Sequence, residues 1–209
     1  VPSETVNKVC ASGMRSVGLL DQAVRAGDLG VGVGGGMESM SNAPYLLPGA
    51  RFGFRMGDVT AIDAMTHDGL TNPFTGKQMI NEASEVGNEL EIARPDLDRF
   101  AVRSHVLAAK ATEEGRLAEE IVEVTVRSRK AETAVGADEA IRPDTSIETL
   151  AKLKPVGGDD ATHTAGNSPG VNDGASAVVV ASDEWADANG KQVLARILAY
   201  GQIGDDFPY

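Results

Sequence analysis

After residue 10 the apolar positions Met14, Val17, Leu20 and Val24 recur at helical spacing and stop near Gly27, which predicts one amphipathic helix. The β-prone run Thr5 to Val9 precedes it, so the pattern reads as a strand, a sharp turn bearing Cys10, and the helix. Leu29 to Gly34 predicts a second short strand, and the glycines 34, 35 and 36 imply backbone packed closely against another element. From Ser41 to Lys77 periodicity is poor and prolines 44, 48 and 73 interrupt it, a long excursion from the core. A longer helix follows from about Pro95 to Glu114, with Leu97, Phe100, Ala101, Leu107, Ala108 and Ala111 expected on its packed face and Gly115 at its end. Glu120 to Val126 alternates as a strand, and Ser146 to Leu153 predicts a helix before Pro155. Ala175 to Ala181 is a continuous apolar run, as in a strand buried on both faces. A helix over Asp183 to Asn189 and a strand over Val193 to Ala199 complete the pattern.

Strands alternating with helices at both ends of an irregular insert give an α/β fold class. The expected organisation is a layered α/β core formed by 1–40 and 164–209, with 41–163 as an inserted α+β loop domain.

Composition narrows the function classes. The formal net charge of −12 argues against nucleic acid or an anionic membrane as partner, because both require clustered Lys and Arg. An anionic ligand therefore needs a local basic pocket. The single cysteine excludes an intramolecular disulfide and a Cys-based zinc site. No apolar run approaches the roughly 18 residues of a membrane span, and the first residues lack the signal-peptide pattern. The expected location is cytoplasmic.

Cys10 raises the first chemical question. A lone cysteine among apolar residues commonly packs as a small hydrophobe. Three local features favour a nucleophile instead. It lies at a predicted strand-to-helix turn, where helix amides and the positive dipole end stabilise a thiolate. Ala11, Ser12 and Gly13 are small and leave room for a substrate. The arrangement is also like a nucleophile elbow, although G-x-S-x-G itself does not occur.

The blocks VNKVCASGMRSV, GGGMESMSNAPYLL, MTHDGL, RFAVRSH, IRPDTSIETLAKLKP and TAGNSPGVNDGASAVVV, in this order from Val6 to about Ala199, resemble the thiolases. The resemblance implies that Cys10 is the acylated nucleophile of an acetyl-CoA C-acetyltransferase, acting in Claisen condensation or thiolysis. It implies acetyl-CoA, acetoacetyl-CoA or a 3-ketoacyl-CoA as substrate, and no tightly bound cofactor or metal. It assigns the CoA channel to Leu70, Gln78, Met79, Arg142, Thr149, Leu150, Ala165, Pro169 and Val171. Arg142 supplies forked donors for phosphate and a flat face for adenine, the basic group an acidic chain requires. Gln78, Ile80 and Pro169 depart from the family's usual His or Asn, Gly and Ser, and Pro169 has no N–H to donate. The 51–62 segment, RFGFRMGDVTAI, resembles the family's tetramer loop, so a homotetramer or homodimer is expected at full length.

The family's NEAFA-type Asn block, GHP-type His block and CxGGG block do not occur in these 209 residues. A chain this short is therefore expected to show little turnover, because Cys10 lacks its general-base partners. The main alternative is a non-catalytic CoA-binding or interaction fragment. A peptidase pairing Cys10 with His163 and a β-ketoacyl synthase are the other readings; the GGGMESMS and TAGN blocks favour thiolase.

Overall fold

The computed structural model describes residues 1–129, 131–158 and 160–204. Lys130 and Asp159 in the expected loop domain, and the end of the expected core segment at 205–209, lie outside the described residues. Contacts divide the chain into two compact units: Val1–Thr71 with the chain from Val171 onward, and Asn72–Gly170. Residues 41–71 thus cluster with the unit that carries Cys10, and 164–170 with the other.

In the first unit, helix α1 (Ser12–Ala26) is followed by strand β1 (Val31–Ser39). Gly27, with φ 82°, ends α1, and its N–H donates back to Val24. A left-handed residue at this position favours glycine because it has no Cβ to clash. Strands β2 (Tyr45–Leu46) and β3 (Ile62–Asp63) pair antiparallel within an irregular stretch that ends in a π-helical turn, Met65–Leu70. The strand and helix that close the described part of this unit are those after Val171. In the second unit lie α2 (Met79–Glu89), α3 (Arg94–Glu113), the antiparallel hairpin β4 (Val124–Arg127) and β5 (Glu132–Val135), and the one-turn α4 (Ile147–Leu150). Back in the first unit, β6 (Asp173–Ala181) pairs antiparallel with β1 along its whole length, Val31 opposite Ala181 and Ser39 opposite Asp173. Helix α5 (Asp183–Ala188) follows, with the Ser182 hydroxyl accepting from the Trp185 N–H.

Four expectations are corrected. Thr5 to Val9 and Val193 to Ala199 form no strands, because neither finds a partner strand among the described residues. β6 is largely exposed rather than buried on both faces, since among the described residues it pairs only with β1 and one face of the pair is uncovered: Val33 is 70% exposed, Met37 85% and Val179 67%. On α3, Phe100 and Leu107 point to solvent while Asp98 is 2% exposed, so the packed face is rotated toward a polar stripe. Helix α2 was not expected at all; Met79, Ile80, Ala83 and Val86 recur at helical spacing, but the residues it buries are Glu82, Ser84 and Gly87.

The glycines of β1 are explained by α1. A Cβ on Gly32 would come within 2.5 Å of Leu20, one on Gly34 within 2.9 Å of Leu20, and one on Gly36 within 3.1 Å of the Gly13 Cα. Alternate residues of a strand share one face. Removing the side chain at all three lets the helix backbone lie directly on the sheet.

Candidate functional site

Cys10 stands just ahead of α1, with its residue exposed to solvent. The turn that presents it is closed by local bonds. Ala11 N–H donates to Lys8 O at 3.0 Å and Ser12 N–H to Val9 O at 3.1 Å. The Ser12 hydroxyl accepts from Lys8 N–H at 2.7 Å and donates to Val9 O at 2.7 Å, and Asn7 Oδ1 accepts from Val9 N–H at 2.9 Å. Val9 has φ 48°. Left-handed backbone at a β-branched residue costs on the order of 1–3 kcal/mol, and such strain persists only where neighbouring bonds over-determine it. Here those bonds are the ones just named.

The start of α1 is pinned from below. Gly13 and Gly36 meet backbone to backbone, and the Ser16 hydroxyl lies 2.7 Å from Gly13 O and 3.0 Å from Gly35 O. At the N-cap, Ala11 has no side-chain acceptor for the first-turn amides, and this end of a helix favours negative charge. Beyond β1, Asp173 accepts from the Ser41 N–H at 2.9 Å and from the Ser41 and Ser39 hydroxyls. These bonds hold the Asp173 carboxyl below its ordinary range. Glu38, at the end of β1, accepts from the Ser39 N–H, so its carboxylate serves in hydrogen bonding.

The residues assigned to CoA are divided between the units. Leu70, half-buried at the end of the π-helical turn, and exposed Val171 belong to the first. In the second, Gln78 is the exposed N-cap of α2 and Met79, 52% exposed, opens that helix. Arg142 is exposed and its N–H donates to His105 Nδ1 at 3.2 Å. Its carbonyl accepts from Thr145 N–H at 3.1 Å, so Arg142-Pro143-Asp144-Thr145 is a β-turn with Pro at its second position. The Thr149 hydroxyl is committed to a capping box with Ser146, donating to Ser146 O and accepting from its N–H. Leu150 is buried and packs against Gly166, where an added Cβ would come within 2.5 Å of it. The second unit thus brings Leu150 together with the TAGN loop, on which Ala165 and Pro169 are exposed.

Several residues outside the expected set do the holding. Arg94 Nε donates to both carboxylate oxygens of Asp98 at 2.8–2.9 Å, and its Nη2 donates to Leu150 O at 2.6 Å. Asn167 Nδ2 donates to Asp98 at 3.0 Å. Buried Glu82 accepts from Asn72 and Thr75 ahead of Gln78. For Asp98 and Glu82 the signal was a carboxylate at a packed helical position, which a purely apolar pattern passes over. Each histidine has its own partner: His67 with Asp68 at 2.7 Å, His105 with Arg142, and His163 Nδ1 with the Ser84 hydroxyl at 3.0 Å. Burial holds His163 below the usual imidazole range. Among the described residues no cluster of three or more His, Cys, Asp or Glu is arranged to hold a metal, and no helix is long and apolar enough to cross a membrane.

Comparison with known proteins gives a consistent match. The family model "Thiolase, N-terminal domain" matches residues 1–184. An acetyl-CoA acetyltransferase of Chromobacterium violaceum is 44% identical over 204 residues, which are 97% of this chain and 52% of the relative. A beta-ketoadipyl-CoA thiolase of Pseudomonas aeruginosa is 43% identical over 209 residues, 98% of this chain and 52% of the relative. The solved acetyl-CoA acetyltransferase of Syntrophomonas wolfei superposes with a TM-score of 0.84 at 38% identity, covering 90% of this chain and 47% of that one. Human mitochondrial 3-ketoacyl-CoA thiolase gives 0.84 at 34%, covering 90% and 48%. The chain spans about half the length of the curated relatives it matches.

Proposed function

The chain belongs to the thiolase family, and from that premise we propose that it carries the nucleophile, Cys10, for acyl transfer between CoA thioesters. The observation that supports this most is the turn itself: an exposed cysteine, behind a left-handed Val9, at the head of a helix whose first residues are small. In the proposed reaction the Cys10 thiolate attacks the thioester carbonyl carbon. The C–S bond to CoA breaks, the CoA thiolate leaves and takes up a proton, and the acyl group is held as a thioester on Cys10. Exchange of one thioester for another is close to balanced, which suits sulfur better than a serine oxygen. When the group held is acetyl, a second acetyl-CoA loses an α-proton to a base, its α-carbon attacks the acetyl carbon, and the C–S bond to Cys10 breaks to restore the thiolate and give acetoacetyl-CoA; in reverse, the Cys10 thiolate cleaves the C–C bond of a 3-ketoacyl-CoA and CoA then takes the acyl group from Cys10.

Acetyl-CoA C-acetyltransferase is the finer reading, supported by relatives of that name; others are named for β-ketoadipyl-CoA and 3-ketoacyl-CoA. The proposed ligands are acyl-CoA substrates, with no resident cofactor. Arg142 is the proposed contact for the nucleotide end of CoA. The 51–62 loop, where Phe52 is 91% and Met56 104% exposed, is the proposed contact in a homo-oligomer of the full-length protein. The exposed face of β1 and β6 supports a second reading, a fragment that binds CoA or a partner without turnover.

Intact mass measurement after incubation with acetoacetyl-CoA, followed by peptide mapping, separates the two. An acetyl group on Cys10 supports the nucleophile. Retained CoA binding with an unmodified Cys10 favours the second reading, and absence of both rejects CoA chemistry for this chain.

A further inference from the structure

We infer that α3 is a positioning element for acyl-CoA: Arg94, Asp98 and His105 on one face of this helix hold three segments of the second unit that carry proposed CoA contacts, the turn at Arg142, the end of α4 at Leu150 and the TAGN loop, while Gln78 and Met79 on α2 lie outside this set. The inference rests on the proposed function for the identity of the ligand. At about 100° per residue, positions 94, 98 and 105 fall within about 40° of one another around the helix. A surface helix ordinarily packs its apolar stripe inward. Here Phe100 and Leu107 are 69% and 45% exposed, while the charged Asp98 is 2% exposed.

Each of the three residues reaches a different segment. His105 Nδ1 accepts the Arg142 N–H at 3.2 Å, at the first residue of the turn that displays the Arg142 side chain. Arg94 Nη2 donates to Leu150 O at 2.6 Å and to Leu153 O at 3.3 Å, gathering carbonyls at the end of α4. Asp98 accepts from Asn167, which also donates to Thr162 O at 3.1 Å and accepts from Thr164 N–H at 2.7 Å, so the TAGN loop is closed on itself and attached to the helix. A buried ion pair contributes little net stability compared with apolar residues of the same size, but it penalises any rearrangement that leaves one partner alone. The arrangement therefore fixes geometry more than it adds stability. A long, flexible ligand gains affinity from segments already in place.

The test uses calorimetric titration with CoA, hydrogen exchange at the Arg142 amide, and acetylation of Cys10 by a short acetyl thioester lacking the nucleotide. His105→Leu is expected to weaken CoA binding about three- to tenfold and to speed exchange at Arg142, while the short thioester acetylates Cys10 as before. His105→Asn, whose Oδ1 falls near the place of Nδ1, is expected to restore both affinity and protection. Arg94→Lys keeps the charge but loses the fork to Asp98 and Leu150, and is expected to weaken CoA binding as well. Wild-type CoA affinity in both His105→Leu and Arg94→Lys overturns the inference while leaving the proposed function intact, and so does a His105→Asn variant no better than His105→Leu. No CoA binding by the unaltered chain overturns both.

Discussion

Gly36→Ala is the sharpest test of how Cys10 is supported. The new Cβ would lie 3.1 Å from the Gly13 Cα and 3.3 Å from its nitrogen. Because the obstacle is backbone, no rotamer relieves it. Gly13 itself is tied to β1 through Ser16. Separating α1 from β1 by a few tenths of an ångström is overpacking, which costs about 1–3 kcal/mol. Replacing a strand glycine offsets about 0.5–1 kcal/mol of that. The net loss is on the order of 1–2 kcal/mol, and with a urea slope of roughly 1–3 kcal/mol/M the midpoint falls by on the order of 1 M. The only tryptophan, Trp185, packs on Gly30 ahead of β1, so its fluorescence reports this unit. The control is Gly174→Ala on β6, where nothing lies within 4 Å of the added Cβ; its midpoint is expected to stay or rise. Equal midpoints for the two variants would refute the claim that α1 rests backbone-to-backbone on β1.

The Asp173 carboxyl is held low by Ser41 and Ser39, so its stabilisation is present above the carboxylate's unfolded value and is lost as pH falls through the lower folded one; Asp173→Asn should flatten the acid limb of a Trp185 titration. Burial lowers His163, so the second unit should keep its stability above about pH 6.5 and lose it as pH falls through that value toward the lower folded one. His163→Gln should remove that slope in hydrogen exchange across 162–167. Ser146→Ala removes the capping box of α4 at a cost of about 1 kcal/mol, read as faster amide exchange over 147–150 with Arg142 unchanged.

Where the structure followed the pattern of the chain, the signal was local. Gly27 stops α1 because a left-handed residue is needed there, and Pro95 stands in the first turn of α3, where its missing N–H costs nothing. The turn at Cys10 was legible because helical periodicity begins just after it. The strand expected before it was not borne out, because a strand exists only if another pairs with it. Burial was the least legible property. The run Ala175 to Ala181 is apolar enough for a fully covered strand, yet coverage depends on which elements lie against it, and among the described residues these are chiefly β1 and α1.

Helix α3 shows why the candidate site was only half visible. Hydrophobic spacing selected Leu97, Phe100, Ala101, Leu107, Ala108 and Ala111, whereas the packed stripe leaves out Phe100 and Leu107 and takes in Asp98 and His105 beside Leu97, Ala101 and Ala108. A carboxylate and an imidazole are accepted there because each meets a matching group: the Arg94 fork and Asn167 amide for Asp98, and the Arg142 N–H for His105. Those partners come from residues up to 69 positions away along the chain, so no window on α3 alone contains the information. The family blocks point to residues that would touch a ligand, and hydrophobic periodicity points to residues that fill a core. Arg94 and Asp98 belong to neither class, and although His105 and Asn167 fall inside the RFAVRSH and TAGN blocks, their holding role emerges only when buried polar groups are matched donor to acceptor.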